Sequence, residues 1–393
     1  MAPSRNAEIG IVALVPDRWE TYSTTRHHIL ARLADRFEVA WVEPALGWRD
    51  HWLPSARSAE SEPPVQLQRP HAHLHVLPSQ AWLPNVYRPA VLRRWLANQR
   101  VALACRLLRK QGVKRLALYV WRPEFADTLA CGNLDLRVYH IDDDYAFSAT
   151  DQPISEVEAR LIRGVDQVIV HSPRLLRKKG CLNPNTALIP NGVDYEAFAS
   201  RQTEAPDLRD VPHPRIGYVG VIKKQLDLAL LLELAQRRPQ WSFVFVGPVG
   251  NLGEKVALWQ ALVALPNVHA MGPRPARELP TYAQHFDVGQ MCYEVNDYTN
   301  SIFPLKLNEY LASGRPVVSS RIESVLPFAE VVGFATGTDE WQAVLQRALE
   351  PALNGPDAVA RRHAVARDYD WGHLVDKVAV LFEAQLAGKA RRP

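Results

Sequence analysis

The chain has 393 residues, 47% of them apolar and 22% charged, and a formal net charge of +4. That length exceeds one ordinary hydrophobic core and points to two domains, while the composition excludes a disordered or fibrous protein. No run approaches the roughly 18 uninterrupted apolar residues of a membrane-spanning helix; even Leu226 to Ala235 is broken by Asp227 and Glu233.

The opening MAPSRNAEIGIVALVP lacks a signal-peptide core, and Cys105, Cys131, Cys181 and Cys292 form no CxxC pair. A reduced cytoplasmic protein without a zinc site is the expectation. Ile9 to Val15 is an apolar run suited to a central parallel strand, Thr25 to Ala34 a helix, and Phe37 to Val42 a second strand. Pro16-Asp17-Arg18-Trp19-Glu20 follows the first strand in place of GxGxxG, which argues against a dinucleotide cofactor. At the helix start, Thr25, Arg26 and His27 have the hydroxyl, N–H and guanidinium groups to hold an acceptor or its phosphate. An ordinary helix with one of His27 and His28 buried and the other exposed is the plainer alternative.

From Pro63 to Arg122 the chain has no acid, whereas residues 88–115 alone carry Arg88, Arg93, Arg94, Arg100, Arg106, Arg109, Lys110, Lys114 and Arg115. Val91 to Leu108 spaces its apolar residues helically around Trp95 and Leu96. Such a segment suits an anionic membrane surface or, equally, a solvated helix whose arginine stems cover apolar surface. No nucleic-acid motif accompanies the charge, and nucleic acid is not an expected partner.

Leu116 to Val120, Leu136 to Ile141 and Gln167 to Val170 read as further strands alternating with helices, hence a doubly wound sheet. The fourth of the five strands named so far runs into the next motif, Val138-Tyr139-His140-Ile141-Asp142-Asp143-Asp144, where an apolar strand ends in three carboxylates. Ligands of open α/β sheets bind beyond strand carboxyl ends, and adjacent acids repel, so one of them is a candidate proton acceptor with a raised pKa. A capping cluster for the next helix and a DxD metal pair, Asp142 with Asp144, are the competing readings. His140 is placed with the acceptor-side residues.

Gln202 to Pro214 is polar and proline-rich and reads as a linker, after which strands recur near Arg215 to Tyr218, Ser242 to Val246, Val268 to Met271, Val288 to Met291 and Pro316 to Ser319. Gly220 and Lys223 follow the first of these, where glycine admits phosphate and lysine neutralises it; surface lysines at a helix start are the alternative. Phe303 to Ser319, FPLKLNEYLASGRPVVS, is helix, glycine stop and strand. Its first turn offers unpaired N–H groups and Lys306 to a diphosphate, and Glu309 lies on the same face, able to accept from ribose hydroxyls.

These segments together resemble the GT-B glycosyltransferases, particularly family 4 and the xanthan glucuronosyltransferase type, which act in bacterial polysaccharide synthesis. The resemblance rests on Ile189-Pro190-Asn191-Gly192-Val193-Asp194, on Arg215 to Gly220, on Phe245-Val246-Gly247-Pro248, on Asn267 to Val288 and on the Lys306 helix. It implies two Rossmann-like domains facing a cleft: an acceptor domain at 1–200, a nucleotide-sugar domain at 201–370, and a helix at 371–393 crossing back. It implies a metal-independent hexosyltransferase without a cofactor, moving sugar from a nucleotide diphosphate, UDP for preference, to a glycan or lipid-linked saccharide at the inner membrane face. Donor-side residues implied are Gly220, Lys223, Gly247, Arg274, Thr299, Asn300, Ser301, Pro304, Lys306, Leu307 and Glu309. Asp143, with Asp142 second, corresponds to the base of inverting relatives. Ser301 stands where many relatives have the first of two glutamates, so stereochemistry does not carry over. A non-catalytic nucleotide-sugar-binding protein is the alternative outside enzymology.

Overall fold

The computed structural model describes residues 5–19, 24–47, 68–145 and 154–390. It forms two compact units: the described residues to His171 with Leu175–Ile189 and the chain from Leu374, and then Ser172–Arg174 with Pro190–His373. The division falls before Pro190 and not at 200/201. The expected linker 202–214 packs into the second unit, because Ala205, Leu208 and Val211 bury one apolar side chain every third residue.

In the first unit, β1 (Ile9–Leu14), β2 (Glu38–Val42), β3 (Gln68–His71), β4 (Leu74–Leu77), β5 (Arg115–Val120), β6 (Leu136–Ile141), β7 (Gln167–Val170) and β8 (Thr186–Leu188) make one sheet. Its order is β3-β4-β2-β1-β5-β6-β7-β8, parallel except where β3 meets β4. Parallel strands covered on both faces need continuous apolar runs, and β1 and β2 are buried throughout. The antiparallel β3–β4 pair escapes that rule, since His71, His73 and His75 alternate with smaller or apolar residues. Glu38 gathers His73 and His75, each at 2.9 Å. The long helix Trp371–Ala390 contributes its part from Leu374 to this unit, with Phe382 edge-on to Tyr119 at 5.1 Å.

The second unit repeats the scheme with β9 (Arg215–Val219), β10 (Ser242–Val246), β11 (Val268–Gly272), β12 (Val288–Met291), β13 (Val317–Ser319) and β14 (Val332–Phe334), in the order β11-β10-β9-β12-β13-β14. In each unit the chain builds outward on one side and then crosses to the other. The resulting switch points lie between β1 and β5 and between β9 and β12, and ligands of such sheets bind at their carboxyl ends.

Candidate functional site

At the second switch point the helix Leu305–Ala312 is fixed by Tyr310. Its ring lies over Gly289 of β12, where an added Cβ would come within 2.4 Å of it, and its hydroxyl accepts the Val219 N–H at 2.8 Å. Asn191 ties down the helix entrance by donating to the Phe303 carbonyl at 2.8 Å. Asn308 donates back to the Asn191 carbonyl at 3.2 Å. Pro304 is the N-cap and no side chain caps the first turn; the Leu307 N–H reaches the Pro304 carbonyl at 3.4 Å, while the N–H groups of Leu305 and Lys306 are the ordinary orphan donors of a helix start, able to take an anion.

So anchored, the helix directs Lys306 across the end of β9. Its ammonium stands 4.8 Å from the centre of the Tyr218 ring. Gly220, at φ +132°, makes room: a Cβ there would sit 2.6 Å from both Cε and Nζ of Lys306. Gly247, at φ +146°, does the same for the backbone, since its Cβ would meet the Gly220 oxygen at 2.2 Å. Burial works against the Lys306 ammonium, but Tyr218, Tyr293, Tyr310 and the Glu309 carboxylate outweigh it and keep the group a cation. Burial lifts Glu309 to about 7 against the pull of Lys306. A cation, a titrating carboxyl and a helix N-terminus thus share one switch point, a set able to take a diphosphate with its sugar hydroxyls.

Other residues of the expected donor set have structural duties. Thr299 is buried, its hydroxyl donating to Glu294 O at 2.6 Å and its N–H to Asn296 Oδ1 at 3.0 Å, so the hydroxyl expected to bind diphosphate is spent on a capping box. Ser301 is buried and donates to Asp297 O at 2.9 Å. Asn300 accepts the Glu323 N–H at 2.9 Å. Arg274 is held by Asp207 at 2.5 Å and Tyr282 at 2.7 Å, and Leu307 is a core residue. Lys223 remains exposed on the loop after Gly220. Tyr218 was invisible as a site residue, because a tyrosine inside an apolar strand looks like core.

In the first unit Arg26 joins residues distant in sequence. Its Nε pairs with Asp17 at 2.5 Å and its Nη1 with Asp142, which also accepts from Tyr145. Arg26 is therefore committed to two carboxylates rather than open to a phosphate. His27 is buried, with Nδ1 on the Thr24 N–H and hydroxyl (3.2 and 2.9 Å) and Nε2 at 3.0 Å from Trp19 O. His140 is stacked on Trp121 at 4.2 Å and bonded to the Tyr119 hydroxyl at 2.6 Å, and burial drives its pKa far down. Both histidines are interior groups, not acceptor ligands, and Thr25 is also buried.

The three acids do not share one environment. Asp144 is paired with Lys178 at 2.7 Å and Lys179 at 3.4 Å. Lys179 is fully buried and pairs with buried Glu158 at 2.7 Å. Asp143 is half-buried, its Oδ1 accepting the Asp144 N–H at 2.8 Å. Separate partners replace the mutual repulsion expected of the run. Asp142 and Asp144 do not form a metal pair, since each faces its own cations. Among the described residues no group of three His, Cys, Asp or Glu could hold a metal ion.

Residues 213–350 match the family model described as Glycosyl transferases group 1. Over 236 residues, 57% of this chain and 58% of the other, the chain is 31% identical to a Bacillus subtilis (strain 168) protein described as teichuronic acid biosynthesis glycosyltransferase TuaH, in a name qualified there as unproven. The match thus spans a little over half of that relative. Among solved structures, the UDP-forming α,α-trehalose-phosphate synthase of Burkholderia vietnamiensis superposes with a TM-score of 0.66 at 14% identity, over 98% of this chain and 100% of that one. The E. coli trehalose-6-phosphate enzyme structure with UDP-2-fluoro glucose gives 0.67 at 12%, over 95% and 98%. At these identities the superpositions establish the fold.

Proposed function

We propose that this chain, with its GT-B fold and a group 1 glycosyltransferase match at residues 213–350, is a glycosyltransferase that moves a hexose from a UDP-linked donor to a glycan or lipid-linked saccharide in polysaccharide assembly. The observation that carries this reading is the Lys306 ammonium over Tyr218 and against Gly220, on the first turn of an uncapped helix. There the lysine and the first-turn N–H groups hold the diphosphate, Glu309 accepts from the ribose hydroxyls, and exposed Lys223 adds a second cation.

The first unit receives the acceptor at the cytoplasmic face of the membrane. The bond from the sugar's anomeric carbon to the diphosphate breaks, a bond from that carbon to the acceptor oxygen forms, and the acceptor's proton passes to Asp143. Negative charge grows on the departing diphosphate. A preorganised donor at such a position is worth about 3 to 4 kcal/mol in the transition state, so lysine and helix end supply the stabilisation without a resident metal. A reading with retention, in which the donor phosphate takes the proton, draws support from the ion pairs that occupy Asp142 and Asp144. NMR of the product's anomeric configuration separates the two.

A thermal-shift panel of UDP, GDP, dTDP and ADP sugars tests the donor. A ligand at about 100 times its dissociation constant stabilises the native state by about 2.7 kcal/mol. Stabilisation by UDP sugars supports the reading, and no shift with any nucleotide rejects it.

A further inference from the structure

After β4 the chain forms an exposed aromatic and basic surface on the first unit. Trp82 is 63% exposed, Tyr87 79%, Val91 76% and Trp95 54%. Side chains this large and apolar are ordinarily covered, and a cluster of them marks an interface. The last two lie in the opening turns of the helix Ala90–Lys110, whose other face buries Leu96, Val101, Ala104 and Leu108. Core packing thus fixes the helix while leaving this end uncovered.

Arg88, Arg93 and Arg94 are exposed among these side chains, the first turn holds no acid, and the helix N-terminus adds its positive dipole end. Among the described residues one carboxylate pairs with them: Asp127 lies 2.8 Å from Arg93 and 3.9 Å from Arg94. Tyr87 and Arg93 also stand on the rim of a cavity of about 580 Å³ with Leu96, Phe125, Leu129 and Leu161 in its lining. Among the described residues no helix is long and apolar enough to cross a membrane.

We propose that this surface docks on an anionic phospholipid bilayer, with Trp82, Tyr87 and Trp95 at the headgroup level and the arginines against lipid phosphates. Tryptophan and tyrosine are amphipathic side chains suited to that depth, and charge complementarity selects anionic lipid over a neutral partner. The surface follows the carboxyl end of β4, on the sheet edge that also carries Asp17 and Asp142. Docking would hold that edge near lipid-borne acceptors. The inference deepens the proposed function and is tested apart from it.

The test is co-sedimentation of the full chain with vesicles of phosphatidylcholine alone and of phosphatidylcholine mixed with phosphatidylglycerol. Wild type should pellet with the anionic vesicles and far less with the neutral ones. A surface arginine contributes about fivefold in partition, equivalent to about 1 kcal/mol. The variant R88Q/R93Q/R94Q removes three positive charges and leaves Asp127 unopposed, so it should bind about 100-fold more weakly. Trp82→Ala with Trp95→Ala should weaken binding to both vesicle types. Because all five positions are exposed, folding and UDP affinity should be unchanged in these variants. Absence of vesicle binding by wild type, or equal binding by the charge variant, overturns the proposal, and UDP affinity measured in parallel shows whether the donor site stands regardless.

Discussion

The ammonium of Lys306 lies on the face of Tyr218, 4.8 Å from the ring centre, and so a strand residue holds the helix cation in place before any ligand arrives. A partly buried cation–π contact is worth about 0.5 to 2 kcal/mol. Tyr218→Phe keeps the ring but loses the hydroxyl's bond to Val221 O at 3.1 Å and its hydrogen bonding with Lys306 and Tyr293. It should lose about 1 kcal/mol of stability and weaken UDP less than removal of the ring does. Tyr218→Leu removes the ring and should weaken UDP by about threefold to tenfold in calorimetric titration.

Gly220→Ala tests the space around the same cation. Its Cβ would fall 2.6 Å from Lys306 Nζ, and φ +132° is a region that alanine avoids. The expected outcome is a stability loss of about 1 to 3 kcal/mol in urea unfolding and at least tenfold weaker UDP binding. Unchanged affinity would mean that Lys306 is not confined by this glycine.

Glu309 gives the site a pH dependence. Burial raises it to about 7 from an ordinary 4.5, so the fold favours the protonated form. Its contribution to stability is complete below the unfolded value, declines as pH rises and is gone above about 7. Ribose hydroxyls need the ionised acceptor, so UDP affinity should rise over the same interval. Glu309→Gln should flatten both profiles, measured as urea midpoints and as titrations across pH.

Beside the acid run, Lys179 answers two buried carboxylates, Glu158 at 2.7 Å and Asp144 at 3.4 Å. Removing the cation alone leaves Glu158 uncompensated, which costs about 3 to 5 kcal/mol. Lys179→Met should therefore be strongly destabilised. The double variant Lys179→Met/Glu158→Leu should recover much of the loss, since both members of the buried pair are then apolar. Equal stability of the single and double variants would show that the pair carries no such cost.

Asp143→Asn separates the two mechanisms. As the base of an inverting transfer, Asp143 contributes about 10² to 10⁴ in kcat with little effect on UDP affinity. Normal turnover by the variant would leave the phosphate-assisted reading.

The apolar strands and the helix, glycine, strand pattern of 303–319 were legible because burial on both faces demands continuous apolar runs and a helix end demands its glycine. The antiparallel β3–β4 pair was not, since its histidines imitate a polar loop until Glu38 is seen to gather them. His140 carries a polar name on an inward strand position, and only the Tyr119 and Trp121 contacts show that it is core. Arg26 looked free because its partners Asp17 and Asp142 are brought together by the switch between β1 and β5. Thr299 and Ser301 have the composition of a phosphate loop, but short capping turns satisfy their hydroxyls first. Local pattern reports burial and turns well; which polar group has spare bonding capacity is decided by tertiary neighbours.

The central claim, that Lys306 grips the donor's diphosphate, is tested most directly by calorimetric titration of UDP into wild type and Lys306→Gln. A charge-assisted bond to phosphate is worth about 1.5 to 3 kcal/mol, so the variant should bind about 10- to 100-fold more weakly while folding normally. Equal affinity in the two proteins would contradict the account.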